Sequence, residues 1–342
     1  MSRDSEIDNP DDNYDDGRFE HEDSGQDQGV HGDGVSSKGG SILDALKALV
    51  SFFTIIKLNV DEEGIRSANK NLYLAPVIGA FIGILALIVT IVAMGMLNYG
   101  AGVVIEDVWG DPKIVKGGLG TLFMTALGIV GGAITIASIF IITKFLHFDG
   151  LADFGDGMVV SGDKEDHVRA LKDTHIGAGG IGLALIVTLL AVALYSGSSL
   201  LFATAFIIVG TEIFVKNAMV SAASFGVPGN GMAGDQVRLT NGSSLMKSTL
   251  ISIVLASVLA LILGSMGYII TDVSIFGGRS LLWLILSLIL SAVTSIGVGA
   301  LMARMANKNF GFVNGDVLGA TNEIARVAIL FMISFAWVIS QL

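Results

Sequence analysis

Apolar residues run along this chain in blocks of about twenty, parted by short polar stretches. Seven such blocks stand out, at roughly 73–97, 119–143, 180–196, 199–223, 249–270, 280–302 and 324–341. A block of this length crosses the hydrocarbon core of a bilayer as a helix. The pattern therefore predicts an all-α, polytopic membrane helix bundle with about seven transmembrane helices. A shorter apolar run precedes them, from Ile42 to Ile56, and is broken by Asp44 and Lys47. It is too short to span comfortably and is expected to form an interfacial or re-entrant helix. Only Gly197 and Ser198 part the third and fourth blocks, which predicts a tight helical hairpin. The 44 glycines suit close helix packing in lipid. No internal repeat is evident.

Composition agrees with this reading: 52% of residues are hydrophobic and 15% charged, and the mean hydropathy is +0.72. No ordinary soluble domain has these values. The formal charge of −11 is unevenly placed. Residues 1–40 hold 12 acidic against 3 basic side chains, so they carry nearly all of it. That stretch is rich in Asp, Gly, Ser and Asn and poor in aliphatic residues. It is expected to be a disordered acidic tail, without the basic and apolar regions of a signal peptide. Residues 41–342 form the membrane-embedded domain. The absence of cysteine excludes disulfides, thiol catalysis and cysteine metal sites.

Basic residues set the expected orientation. Lys47, Lys57, Arg66 and Lys70 precede the first span, which places the N-terminus in the cytoplasm. Segments 144–179, 224–248 and 303–323 then face the cytoplasm too, carrying Lys144, Lys164, Arg169, Lys172, Arg238, Lys247, Arg304 and Lys308. The outer segments are poorer in cations, with Lys113 and Lys116 in one and Arg279 in another. Every polar motif falls on the same side of the cell membrane.

The first motif runs from His147 to Gly157 and holds Asp149, Asp153 and Asp156 at i, i+4, i+7, one face of a helix. Three crowded carboxylates repel one another unless a cation sits among them. A hard divalent ion such as Mg²⁺ takes oxygen ligands and leaves room for phosphate oxygens. Glycines 150, 155 and 157 leave space beside the acids. The plain alternative is a solvated helix end. The second motif is Arg169 to Gly177. Arg169 and Lys172 lie one turn apart and can clamp phosphate, Asp173 offers a further metal ligand, and His175 opens a glycine-rich stretch. Here topology enforcement by the two cations is an equal reading. The third runs from Asn314 to Glu323, with Asp316 and Glu323 on one helical face and Asn322 as an ordinary N-cap. Inside the fourth span, Glu212 and Lys216 at i, i+4 form an expected intramembrane ion pair. His147 either orients Asp149 or snorkels to the interface, and His167 reads as a surface residue. Gly229 to Gly231 and Gly234-Asp235 mark a flexible loop.

At these motifs the chain resembles the cobalamin synthase family, the adenosylcobinamide-GDP ribazoletransferases. The family's His-x-Asp-Gly-Leu-Ala-Asp-x-x-Asp-Gly string is similar to His147–Gly157. Its later elements are similar to Lys172–Gly177 and Asn314–Ala320, and Tyr73–Gly79 resembles its first membrane segment. The resemblance runs from about residue 45 to the C-terminus. Two departures stand out: Thr174-His175 replaces the usual Ser-Arg, and Asn314 the usual Thr. The resemblance implies a Mg²⁺-dependent transfer in which α-ribazole, or its 5′-phosphate, attacks adenosylcobinamide-GDP. GMP leaves, and adenosylcobalamin or its 5′-phosphate forms. It implies Asp149, Asp153 and Asp156 as ligands of one or two Mg²⁺ ions, and Arg169 and Lys172 as phosphate binders. Asp173 or Asp316 is then the acceptor of the hydroxyl proton, and His175 a donor to phosphate. The implied partners are these two substrates and the lipid bilayer, with no nucleic acid; homo-oligomerisation stays open.

Two other classes compete. CDP-alcohol phosphatidyltransferases share an Asp-Gly-x-x-Ala start, but their motif demands Arg where this chain has Asp153. A non-enzymatic transporter expects charges near the midplane of several spans; Glu212 and Lys216 alone are expected there.

Overall fold

The computed structural model describes residues 40–109, 118–197, 201–271 and 278–342. The predicted acidic tail, Gly40 apart, lies outside the described residues, as do Lys113, Lys116 and Ser198. Every regular element among the described residues is a helix, and an isolated bridge between Pro228 and Val313 is the one β contact. In chain order the α-helices are α1 (Ile42–Phe53), α2 (Glu62–Lys70), α3 (Ala75–Trp109), α4 (Gly118–Ile142), α5 (Leu146–Val159), α6 (Lys164–Leu171), α7 (Ala178–Tyr195), α8 (Leu201–Phe225), α9 (Gly231–Leu239), α10 (Gly242–Thr271), α11 (Gly278–Asn309) and α12 (Gly315–Gln341). Seven of them, α3, α4, α7, α8 and α10–α12, are long and apolar enough to cross a membrane. The chain is a multi-pass, all-α membrane protein, as the hydropathy pattern predicts.

α1 does not span. Its N-terminus is closed by a capping box in which Ser41 and Asp44 exchange hydrogen bonds, so the acid that interrupts the apolar run is a helix-start signal. Its inner face buries Ala45, Ala48, Leu49 and Phe53 while Ile42 and Leu43 stay exposed, the amphipathic division of an interfacial helix.

α8 is the axis of the bundle. It packs against α3, α10, α11 and α12 and is enclosed almost along its length. A helix apolar all round belongs in such a position, but α8 also carries Thr211, Glu212, Lys216, Asn217 and Ser221, all buried. Glu212, Lys216, Asn217 and Ser221 bond to neighbouring helices rather than face lipid. The Asn217 amide donates to Ser295 Oγ at 2.9 Å and accepts from Ser248 Oγ at 2.7 Å, tying α8 to α11 and α10. The approach of α3 depends on Gly79 and Gly83, one helical turn apart. A methyl group on Gly79 would overlap the Glu212 carbonyl, and one on Gly83 would meet Val209 Cα at 2.8 Å. The turn of the predicted hairpin between the third and fourth spans includes Ser198 and so lies outside the described residues. α7 leans on α4 and α5, while α8 turns inward to its own neighbours, because its polar residues require protein partners.

One end of the bundle gathers the polar connections. There α5 packs against α12, α7 and α6, α9 against α2, and the α8–α9 loop pairs with the segment entering α12. In that pairing Val313 N–H donates to Val227 O at 2.7 Å and Gly229 N–H to Val313 O at 3.2 Å.

Gly79→Val should destabilise the detergent-solubilised protein by about 1–3 kcal/mol through overpacking. Gly95→Val, at a position with open space around it, should leave the thermal unfolding midpoint unchanged.

Candidate functional site

α4 ends at Ile142 and α5 begins at Leu146, and between them Lys144 and Phe145 both adopt left-handed backbone, with φ of 56° and 57°. Such a conformation costs a non-glycine residue about 1–2 kcal/mol. Contacts on both sides hold it in place: Phe145 N–H donates to Phe140 O at 2.8 Å, and its ring packs on Phe140 and Phe148. The break turns α5 out of the line of α4 and lays its acidic face at the end of the bundle.

α12 arrives from the other side. Asn314 caps it, accepting from Val317 N–H at 3.1 Å, and its Nδ2 donates to Asp316 Oδ2 at 2.7 Å. The residue that departs from the family pattern is thus the cap, and it also holds Asp316. Asn322, the expected cap, is instead buried in the bundle. α5 and α12 meet where Gly150 faces Asp316: a side chain on Gly150 would come within 2.9 Å of the Asp316 backbone. Two helices therefore bring Asp149, Asp153 and Asp316 together. Asp149 is exposed, Asp153 and Asp316 half-buried.

Their mutual effect shows in Asp153. Burial first, then the charges of Asp316, Asp149 and Asp156, push its carboxyl from 3.8 up to about 6. Asp156 is also tied to α7. Its Oδ2 accepts from Gly177 N–H at 2.6 Å and its Oδ1 from Gly180 N–H at 2.8 Å, so both oxygens satisfy free amides at the start of α7. Asp316 of α12 thus joins the expected trio of α5. Among the described residues no group of three or more acidic or histidine side chains is placed to hold a metal ion. The donor set still fits Mg²⁺, which keeps several waters and uses one or two carboxylates together with substrate phosphates.

Beside the acids lies an open cleft of about 740 Å³ lined by Arg169, Lys172, Asp173 and Phe310 among others. Lys172 links the two regions. Its ammonium stands 5.8 Å from the Phe312 ring, and its charge reaches Asp316. Arg169 pairs with Asp166 at 3.2 Å on an exposed surface. Asp173 accepts from His175 N–H at 2.9 Å and contacts His175 Nδ1 at 3.0 Å. These bonds, the backbone one first, hold its carboxyl below the usual range. His175 itself is almost fully exposed. His167 is no free surface residue: its Nδ1 donates to Gly157 O at 2.7 Å and its ring packs on Phe310, fastening α6 to α5.

Beneath the acids is a buried polar network. The expected pair of Glu212 with Lys216 does not form. Glu212 takes two hydrogen bonds from Arg326, at 2.8 and 3.3 Å, and Arg326 also binds Glu323. Asn322 Nδ2 donates to Glu323 at 3.1 Å. Lys216 donates to Asn322 Oδ1 at 2.8 Å and contacts His147 Nε2 at 3.0 Å. His147 neither orients Asp149 nor reaches the interface. It is 2% exposed, stacked on Phe53, and kept neutral by burial and by the Lys216 and Arg326 charges. Arg326 and Phe53 escaped the sequence reading. An arginine at i+3 from a glutamate inside an apolar block is the signal that marks the first; nothing local marks the second.

Comparison with known proteins agrees with the motif resemblance. The profile of the cobalamin-5-phosphate synthase family matches residues 114–334. The chain is 34% identical over 223 residues to an adenosylcobinamide-GDP ribazoletransferase of Methanocella arvoryzae, covering 64% of this chain and 79% of that protein. It is 27% identical to the Methanosarcina mazei enzyme of the same name, covering 86% and 92%, and 29% identical to that of Halorubrum lacusprofundi, covering 86% and 98%. No solved structure matches the chain significantly.

Arg326→Ala should cost about 3–5 kcal/mol by leaving Glu212 and Glu323 buried without a counter-charge, read as loss of monodisperse protein in detergent. For Asp153, the folded-state value lies above the unfolded one. Its contribution to stability is complete below 3.8 and lost as pH rises through about 6. Without divalent cation, Asp153→Asn should therefore melt higher than the wild type at pH 7, and the gap should narrow as the pH falls through about 6 and close only below 3.8. Added Mg²⁺ should raise the wild type but not the variant.

Proposed function

We propose, from the premise that the chain belongs to the cobalamin-5-phosphate synthase family, that it is an adenosylcobinamide-GDP ribazoletransferase. A hydroxyl of α-ribazole, or of its 5′-phosphate, attacks the phosphorus on the cobinamide side of the diphosphate. One P–O bond forms to the acceptor, one breaks to GMP, and the hydroxyl gives up its proton. The product is adenosylcobalamin or its 5′-phosphate.

The observation that carries this reading is the meeting of Asp149 and Asp153 with Asp316, beside a cleft that holds Arg169 and Lys172. Mg²⁺ held by the acids would neutralise phosphate charge and polarise the reacting phosphorus. The chain's own part is positioning, which dominates reactions of this class. Lys172, between cleft and acids, holds the diphosphate across the junction, and Arg169 adds a second grip. Asp316 is the favoured acceptor of the hydroxyl proton, because it faces Asp149 and Lys172 and is oriented by Asn314. Asp173 suits that role less, since its bonds to His175 make it a weak base. Asp156 supports the site through α7. The basic residues at this end of the bundle favour the cytoplasm for the active face and the N-terminus, and the cell membrane as its location.

Purified membranes given adenosylcobinamide-GDP, α-ribazole and Mg²⁺ should release cobalamin and GMP in equal amounts. Asp153→Ala and Asp316→Asn should each lower turnover about a hundredfold or more, and EDTA should abolish it. Turnover unaffected by chelation and by both substitutions would remove the acids from the mechanism.

A further inference from the structure

The cleft beside α6 has a polarity along its length. Glu165, Val168, Arg169 and Lys172 line it and recur at i, i+3, i+4 and i+7, one face of the helix. Seven residues of helix advance about 10 Å, the reach of an extended nucleoside diphosphate. At one end stand Lys172, whose charge reaches Asp316, and Arg169 one turn before it, where the reacting phosphates belong. In the middle Val168 and Phe310 make an apolar floor. Phe310 is held edge-on by Phe154 and His167, with Gly157 against its ring. At the far end stand the carboxylate of Glu165 and the ammonium of Lys164. Asp173, the other acid in the lining, is bound to His175, and nearby Asp163 and Asp166 are committed to the capping box of α6 and to Arg169. Among the described residues of the lining, Glu165 is the carboxylate left without a side-chain partner.

A free carboxylate opposite a planar base has a specific use. It accepts from two parallel donors at once, and guanine presents such a pair in N1–H and its 2-amino group. Hypoxanthine keeps only the first, and the corresponding edge of adenine has an acceptor at N1. We propose that this cleft seats the guanosine diphosphate end of the substrate, with the phosphates at Lys172 and Arg169, the base over Val168 and Phe310, and Glu165 reading the guanine. The proposal rests on the reaction given above and adds the residue that makes it specific for a guanine nucleotide.

The test is binding of GDP, IDP and ADP to the purified full-length protein in detergent with Mg²⁺, beside the transferase assay. The wild type should prefer GDP to IDP and IDP to ADP. Glu165→Gln keeps the exposed start of α6 intact and should leave the melting temperature unchanged. It should weaken GDP about tenfold to a hundredfold, as loss of charge-assisted hydrogen bonds does, while ADP binding stays the same. Lys172→Ala should weaken all three nucleotides by one common factor. A GDP-to-ADP ratio in Glu165→Gln equal to that of the wild type would overturn the proposal. If turnover with adenosylcobinamide-GDP persists in that case, the reaction stands and only the placement fails. Folded protein showing neither turnover nor GDP binding would overturn both.

Discussion

Arg326 lies wholly buried between Glu212 on α8 and Glu323 on its own helix, and the geometry of the active end depends on that bridge. A buried ion pair adds little net stability over apolar packing, but it admits one arrangement and penalises the others. A rotation of α12 by one residue, about 100°, would carry the guanidinium away from Glu212 and strand two carboxylates in the membrane. The bridge therefore fixes the face that α12 turns to α8. Asn322, one residue before Glu323, then meets Lys216, and Lys216 meets His147 at the start of α5. Two turns up α12, Asp316 is left facing Gly150 and the acids of α5. The site is assembled from below.

This layout separates charge by depth. The cations Lys216 and Arg326 sit inside the bundle, Arg326 answered by two glutamates and Lys216 held by Asn322, a neutral histidine and the Phe53 ring. At the rim the acids are left in conflict, and Asp153 records it. The contrast with Asp156 is instructive. Its two oxygens are satisfied by the amides of α7, although its charge still adds to the load on Asp153. A half-buried carboxyl near neutrality inside an acid cluster is a common mark of a binding site.

Much of the architecture was legible in the chain because it is governed by local quantities. Span number follows from block length, and the short amphipathic α1 from its interrupted run. The acidic string on α5 and the basic pair on α6 also stand in the sequence as they stand in the site. The partners were less legible. Glu212 and Lys216 satisfy the spacing of a helical ion pair, yet each finds a better partner on another helix, Arg326 and Asn322, more than a hundred positions away. Asp156 matches its neighbours in spacing but meets α7 through the tertiary fold. Asn314 and Asn322 are equally plausible caps by composition, and only the place where α12 starts decides between them. In each case the local rule was sound and a longer-range contact of greater energy overrode it.

The seat of α1 has a consequence for how the protein is made. Phe53, the last residue of that helix, stacks on His147 of α5 and lies 4.7 Å from the Lys216 ammonium of α8. Lys216 is in turn held by Asn322 of α12. α1 thus has its resting place completed by a helix that lies far later in the chain. Until α12 enters the bundle, α1 can wait at the membrane surface on its own apolar face, but the pocket for Phe53 is incomplete. The seating of Phe53 therefore waits on a helix made later than its own.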